Sequence, residues 1–153
     1  SPEYFILNDS TYSYGHPFMN KTESVFFFAS DMSGGYGGTD LYMCLRVNDT
    51  SWTKPINLGP EVNSDKNELY PFFDDEHHLY FSSNGHLGMG GYDLFSAVLY
   101  DGKWSERENL QSPINSSYDE YSIIFKGKLG VFSSNRKGGV GSEDLYWFQY
   151  LEN

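Results

Sequence analysis

Residues 82–95 read SSNGHLGMGGYDLF, and the phrase recurs as ASDMSGGYGGTDLY at residues 29–42 and as SSNRKGGVGSEDLY at residues 133–146. Each copy runs from a small residue through Ser and an Asp or Asn into a glycine loop. Each closes on Asp-Leu-aromatic. The closing acids are Asp40, Asp93 and Asp144, so the spacing is 53 and then 51 residues. A period of this length marks stacked supersecondary units. Residues present in every unit are therefore candidates for architecture before they are candidates for chemistry.

The repeat extends beyond the phrase. Trp52-Thr53-Lys54-Pro55-Ile56-Asn57-Leu58 aligns without gaps on Trp104-Ser105-Glu106-Arg107-Glu108-Asn109-Leu110. Val62-Asn63-Ser64 aligns on Ile114-Asn115-Ser116, and Asn67-Glu68 on Asp119-Glu120. Ahead of the first copy, Leu7-Asn8-Asp9-Ser10 and His16-Pro17-Phe18 read as a worn version of Val62-Asn63-Ser64-Asp65 and Tyr70-Pro71-Phe72. The sequence holds two complete units and most of a third.

At 153 residues this is about one domain. Aromatic residues make up 18%, which suits sheets, and sixteen glycines mark frequent turns. A net charge of −11 argues against nucleic-acid binding, which needs clustered Lys and Arg. Cys44 is the only cysteine, so no intrachain disulfide forms, and it reads as a packed strand residue rather than a reactive thiol. No run approaches the roughly 20 apolar residues of a membrane span. No signal peptide is visible. The sequence opens on Ser-Pro without Met, so a leader outside it stays an open expectation.

The middle unit gives the architecture. Residues 69–73 form a short apolar run, residues 74–77 a polar turn, and residues 78–83 a second strand. Residues 92–99 follow the glycine loop as a third strand. Asp101-Gly102 signals a hairpin, and residues 103–110 make a fourth strand. Four antiparallel strands in about 50 residues predict one propeller blade. Pro71 and Pro17 belong on an edge strand, because proline donates no ladder hydrogen bond; Ile123 replaces them in the third unit. The fold class is thus all-β, with about three blades of a larger propeller. Residues 1–11 give an end strand of a preceding or closing blade, 12–64 and 65–116 two blades, and 117–153 an incomplete one. The missing blades come from a longer parent chain or from self-association.

The repeated loop glycines, Gly35, Gly88 and Gly139 with Gly37, Gly90 and Gly141, predict a defined loop with positive φ. Ser30, Ser83 and Ser134 open that loop, and Asp40, Asp93 and Asp144 close it. These side chains are expected to accept hydrogen bonds from loop N–H groups of their own unit.

With the repeat laid out, the chain resembles the WD40-like, TolB-type propeller repeats of Gram-negative envelope proteins. The phrases that carry the likeness are Leu79-Tyr80-Phe81-Ser82-Ser83-Asn84, Gly88-Met89-Gly90-Gly91-Tyr92-Asp93-Leu94-Phe95 and Asn57-Leu58-Gly59-Pro60-Glu61-Val62-Asn63-Ser64. The Gly-His and Trp-Asp signatures of true WD40 repeats are absent. The Asn-Leu-Gly…Val-Asn-Ser phrase is similar to the Bacteroidota subset, in which tetratricopeptide repeats, the propeller and an OmpA-like domain are joined. Some of those proteins belong to the type IX secretion apparatus. The resemblance implies a periplasmic or outer-membrane-associated scaffold whose partners are envelope proteins.

Chemistry is thinly signalled. One face is expected to gather Asp65, Asn67, Glu68, His86, Tyr92, Ser116, Asp119 and Glu120, as a polar rim around a channel or as a cation or sugar site. Asp74-Asp75-Glu76-His77-His78 is metal-like in composition but reads as a solvated turn on the opposite face. No G-x-S-x-G nucleophile elbow is present, and Arg46, Arg107 and Arg136 occupy different repeat positions, unlike a sialidase cluster. No catalytic residue, metal or cofactor is assigned. The expectation is a non-catalytic protein-binding scaffold using Tyr36, His86, Met89 and Tyr92, with Val140 among the positions that vary between copies. Tyr36 packing on a neighbouring blade stays open. The alternative is a carbohydrate-binding or glycoside-hydrolysing propeller.

Overall fold

The computed structural model describes residues 8–150; of the end strand expected over residues 1–11, residues 1–7 lie outside the described residues and residues 8–11 form no strand. Among the described residues the chain is all-β and forms three antiparallel sheets. The first contains β1 (Tyr14–Met19), β2 (Val25–Ser30), β3 (Asp40–Asn48), β4 (Ser51–Trp52) and β5 (Ile56–Asn57). The second contains β6 (Glu68–Phe73), β7 (His78–Ser83), β8 (Asp93–Tyr100), β9 (Lys103–Trp104) and β10 (Glu108–Asn109). The third contains β11 (Glu120–Lys126), β12 (Leu129–Ser134) and β13 (Asp144–Gln149).

Each sheet begins as a meander, and its first strand is an edge. Pro17 and Pro71 lie on β1 and β6, where a missing N–H leaves no ladder bond unmade. The sequence did not signal that both prolines sit in a bulge. The register slips between Gly15 and Phe18, between Leu69 and Phe72, and between Tyr121 and Ile124. At each slip one non-glycine residue has positive φ: His16, Tyr70 or Ser122. The extra residue bends the strand and raises its twist.

The fourth strand differs from the continuous one expected over residues 103–110. It is split into β9 and β10, both paired to β8, as β4 and β5 are to β3. Ser105 makes the break by bonding locally. Its N–H donates to the Val98 carbonyl at 2.8 Å, while its Oγ accepts the Val98 N–H at 2.9 Å. Asp101 and Gly102 both have positive φ, as a type I′ hairpin requires.

The core lies in the two seams between sheets. Phe27, Ala29 and Leu41 of the first sheet meet Leu79, Phe81, Phe95 and Ala97 of the second. Leu94 and Tyr80 meet Ile123, Phe132, Tyr146 and Phe148 of the third. The linkers seal these seams: Leu58 and Val62 close the first, Leu110 and Ile114 the second. That is the structural role of the repeated Asn-Leu…Val/Ile-Asn-Ser phrase. A fully buried aromatic such as Phe27 or Phe81 contributes about 1.5–3 kcal/mol.

Cys44 is 0% exposed on the other face of the first sheet, beside Phe28 and Tyr42, and burial raises its thiol pKa to about 11. The native chain should therefore resist iodoacetamide at neutral pH and react only when unfolded. Prompt stoichiometric labelling of the folded protein would contradict this packing.

Candidate functional site

The three glycine loops share one construction. Ser30 pairs with Asp40 across the hairpin, Ser83 with Asp93 and Ser134 with Asp144. That register sets each carboxylate under its own loop. Asp40 accepts the N–H groups of Tyr36 at 2.6 Å and Gly37 at 3.1 Å. Asp93 accepts those of Met89 and Gly90, both at 2.9 Å. Asp144 accepts those of Val140 at 2.9 Å and Gly141 at 3.1 Å. Ser30 and Ser83 accept N–H groups from Met32 and Gly85 at the start of their loops, and Ser134 accepts that of Arg136. Asp93→Ala strands two loop donors and should cost about 1–3 kcal/mol in urea denaturation. An unchanged midpoint would refute this role.

Five of the six repeated glycines, all but Gly141, are needed for space, not for φ. Positive-φ glycines occur at Gly34, Gly59, Gly102, Gly127 and Gly138, and none of the repeated Gly-x-Gly positions is among them. A Cβ on Gly35, Gly88 or Gly139 would overlap the loop's own Asp carboxylate. A Cβ on Gly37 would overlap the Lys66 carbonyl, and one on Gly90 the Tyr118 carbonyl. The second glycine therefore lets one sheet's loop touch the backbone that enters the next.

The loops push their middle residue outward. Tyr36, Met89 and Val140 occupy the same repeat position and are 52%, 46% and 101% exposed. Leu87, one residue before the Gly88-Met89-Gly90 triplet, is also exposed. Two other candidates lie elsewhere. The His86 side chain is turned inward and is 6% exposed. Its Nε2 lies 2.6 Å from the Val62 carbonyl, an acceptor only, so Nε2 carries the proton. Tyr92 is half-buried in the second seam, where its N–H donates to Asp119 at 2.8 Å and its carbonyl accepts from Glu120. Its ring lies 5.2 Å from that of Tyr121.

The expected polar rim is not one surface. Glu68 and Glu120 are both 0% exposed and do not face a channel. Glu68 accepts from the Ser64 N–H at 2.9 Å, Ser64 Oγ at 2.5 Å and Ser83 Oγ at 2.6 Å. Glu120 repeats this with Ser116 N–H, Ser116 Oγ and Ser134 Oγ at 2.9, 2.6 and 2.8 Å. A cation-forming side chain attends each: His86 lies 4.0 Å from Glu68, and Arg136 donates to Glu120 at 3.0 Å. Burial raises the Glu68 pKa, while its serine bonds and His86 oppose that rise. These acids brace the fold and are out of reach of a substrate. Ser-x-x-x-Glu, repeated at Ser64–Glu68 and Ser116–Glu120, was the sequence signal for them.

A groove of about 690 Å³ opens on the opposite side, between the first hairpins of the sheets. Phe18, Phe72, Tyr80 and Phe125 line it, with Asp74 and Glu76 beside them. Asp74 Oδ2 sits 3.2 Å from His78 Nδ1, and Asp74 Oδ1 accepts the N–H groups of Glu76 and His78. Asp74 is thus a turn-forming acid. Among the described residues, no three His, Cys, Asp or Glu side chains gather as a metal site.

No protein-family model matches the chain, and no curated protein matches it. Among the described residues no helix is long and apolar enough to cross a membrane.

Proposed function

We propose that the chain is a non-catalytic β-propeller segment that scaffolds protein–protein contacts in the cell envelope. The observation that carries this reading is the row Tyr36, Met89 and Val140. Three apolar side chains project from equivalent loops, each with its amide held by a buried or half-buried Asp. Aromatic residues and Met are enriched in interface cores, and a backbone fixed in advance lowers the ordering cost of binding.

The propeller reading takes residues 12–64, 65–116 and 117–153 as blades. It is supported by the edge strands β1, β6 and β11, whose rings meet from sheet to sheet, stacked between His16 and Tyr70 and edge-on between Tyr70 and Tyr121. His16 and Tyr70 are 3.9 Å apart, and Tyr70 and Tyr121 are 6.0 Å apart. The periplasmic or outer-membrane-associated location, including a type IX secretion complex, follows from the resemblance of the repeat phrases to TolB-type proteins.

The test is affinity capture from envelope extract with a Tyr36→Ala, Met89→Ala, Val140→Ala triple variant. All three side chains are exposed, so thermal stability should hold while partner recovery falls by about tenfold, equivalent to roughly 1.4 kcal/mol. Undiminished recovery of the same partners would overturn the reading.

The groove favours a second reading, carbohydrate binding. Its volume falls within the usual range of about 300–1,000 Å³ for ligand sites, and its aromatic walls beside carboxylates suit sugar faces and hydroxyls. Calorimetric titration with oligosaccharides, repeated on Tyr80→Ala, would separate it from the first.

A further inference from the structure

The turn between β6 and β7 carries more charge than its geometry uses. Asp74 holds it, with Oδ1 accepting the N–H groups of Glu76 and His78 at 2.9 and 2.8 Å. Neutral Asn20 holds the equivalent turn of the first sheet, accepting from Ser24 and Val25 at 2.9 and 3.0 Å. The third sheet turns through Lys126-Gly127-Lys128, with no acid. Asp75 and Glu76 are both exposed, and the Glu76 side chain makes no hydrogen bond or ion pair among the described residues. Adjacent carboxylates repel one another. The run Asp74-Asp75-Glu76 is therefore peculiar to the middle unit and goes beyond what the turn needs.

These acids border the aromatic groove. Phe72 of β6, Tyr80 of β7 and Phe125 of β11 pack as a triangle, with ring centres 6.2, 6.2 and 4.6 Å apart. Tyr80 is itself peculiar to this unit, since Phe27 and Val131 hold its place in the other two. Burial raises the Tyr80 hydroxyl pKa, and the charges of Asp74 and Glu76 raise it further, so the field at the rings is negative. Lys21 and Lys126 also line the groove, but Lys21 lies 3.6 Å from Asp75, and the carboxylates outnumber the two ammonium groups. A negative field over aromatic rings attracts a cation, above all a flat and weakly hydrated one.

We propose that the groove receives an arginine side chain of a basic polypeptide, its guanidinium packed on Tyr80 and Phe125 and paired with Glu76. Arginine suits the site better than lysine, because its planar cation loses water more readily and stacks on rings. The net charge of −11 steers a basic partner toward the protein. The groove lies on the opposite side from Tyr36, Met89 and Val140, so undiminished capture by the triple variant of those residues leaves this proposal standing.

The probe is the blocked tripeptide acetyl-Gly-Arg-Gly-amide, titrated at low salt into the full ¹⁵N-labelled chain. Saturable amide shifts are expected over residues 74–80 and 125–127, and the matching Gly-Lys-Gly peptide should bind more weakly. Glu76→Gln should leave the melting temperature unchanged and weaken binding about fivefold. Glu61→Gln, which removes the same charge outside the groove, should leave affinity unchanged. Absent or unsaturable shifts overturn the proposal, as does equal affinity for the lysine peptide. Equal weakening by Glu61→Gln also overturns it, by marking the binding as diffuse attraction to an acidic surface. So does a neutral oligosaccharide that shifts the same amides and displaces the peptide, which would assign the groove to sugars.

Discussion

Glu120→Ala should destabilise the protein by about 3–5 kcal/mol, the largest effect expected of a single side-chain truncation here. Glu120 is 0% exposed and accepts four hydrogen bonds, one from Arg136. The guanidinium also donates to the Pro113 and Ile114 carbonyls and lies 5.0 Å from the centres of the Phe132 and Tyr146 rings. Its side chain is only 19% exposed, so loss of the carboxylate leaves a largely buried cation without its counter-charge. For a chain of this size the melting temperature should fall by roughly 6–20 °C. Glu68→Ala should cost less, about 1–3 kcal/mol, because His86 lies 4.0 Å from the carboxylate and keeps its own bond to the Val62 carbonyl when the carboxylate is lost. Adding Arg136→Ala to Glu120→Ala should recover part of the loss. A Glu120→Ala cost below about 1 kcal/mol would sink the buried-pair account.

Gly90→Ala should be the second most damaging change, and Gly141→Ala nearly silent, although the two glycines hold the same place in the repeat. A Cβ on Gly90 overlaps the Tyr118 carbonyl and comes within 2.9 Å of the Ser116 carbonyl. Those atoms are backbone of the segment leading into the third sheet, so relief requires the seam to open. The cost should be about 3 kcal/mol, the upper end of the range for an overpacked interior. At Gly141 the nearest atom lies 3.2 Å away, and the change should stay within about 0.5 kcal/mol. Urea denaturation of both variants decides the matter. Equal destabilisation would mean that backbone conformation, not space, selects these glycines.

Much of the candidate surface was legible in the sequence. Tyr36 and Met89 stand between glycines in a loop, and loops run over the surface. The Asp-to-loop hydrogen bonds were legible too, since each spans three or four residues. His86 and Tyr92 lie in the same phrase, yet they face into seams. The His86 ring is held there by the Val62 carbonyl, and the Tyr92 ring packs on Tyr121 while its backbone N–H bonds Asp119; these partners lie 24 or more residues away. A linear pattern of loop residues carries no information about such distant partners.

The sequence by itself determined the repeat, the first three strands of the middle unit, the Asp-Gly hairpin and the edge position of Pro17 and Pro71. These follow from local chemistry: backbone propensity, the missing N–H of proline, and side chains that bond within a few residues. The tertiary structure decided what depends on register and stacking. It placed Glu68 and Glu120 inside rather than on a rim, because pairing with Ser83 and Ser134 fixes which face they share. It showed the second loop glycine of the first two sheets, Gly37 and Gly90, to be a site of close approach to the segment entering the next sheet. It also separated three leucines that are the same letter in the same phrase, two sealed by the following sheet and Leu145 open. Burial belongs to what packs against a residue, and the residue's own motif does not encode it.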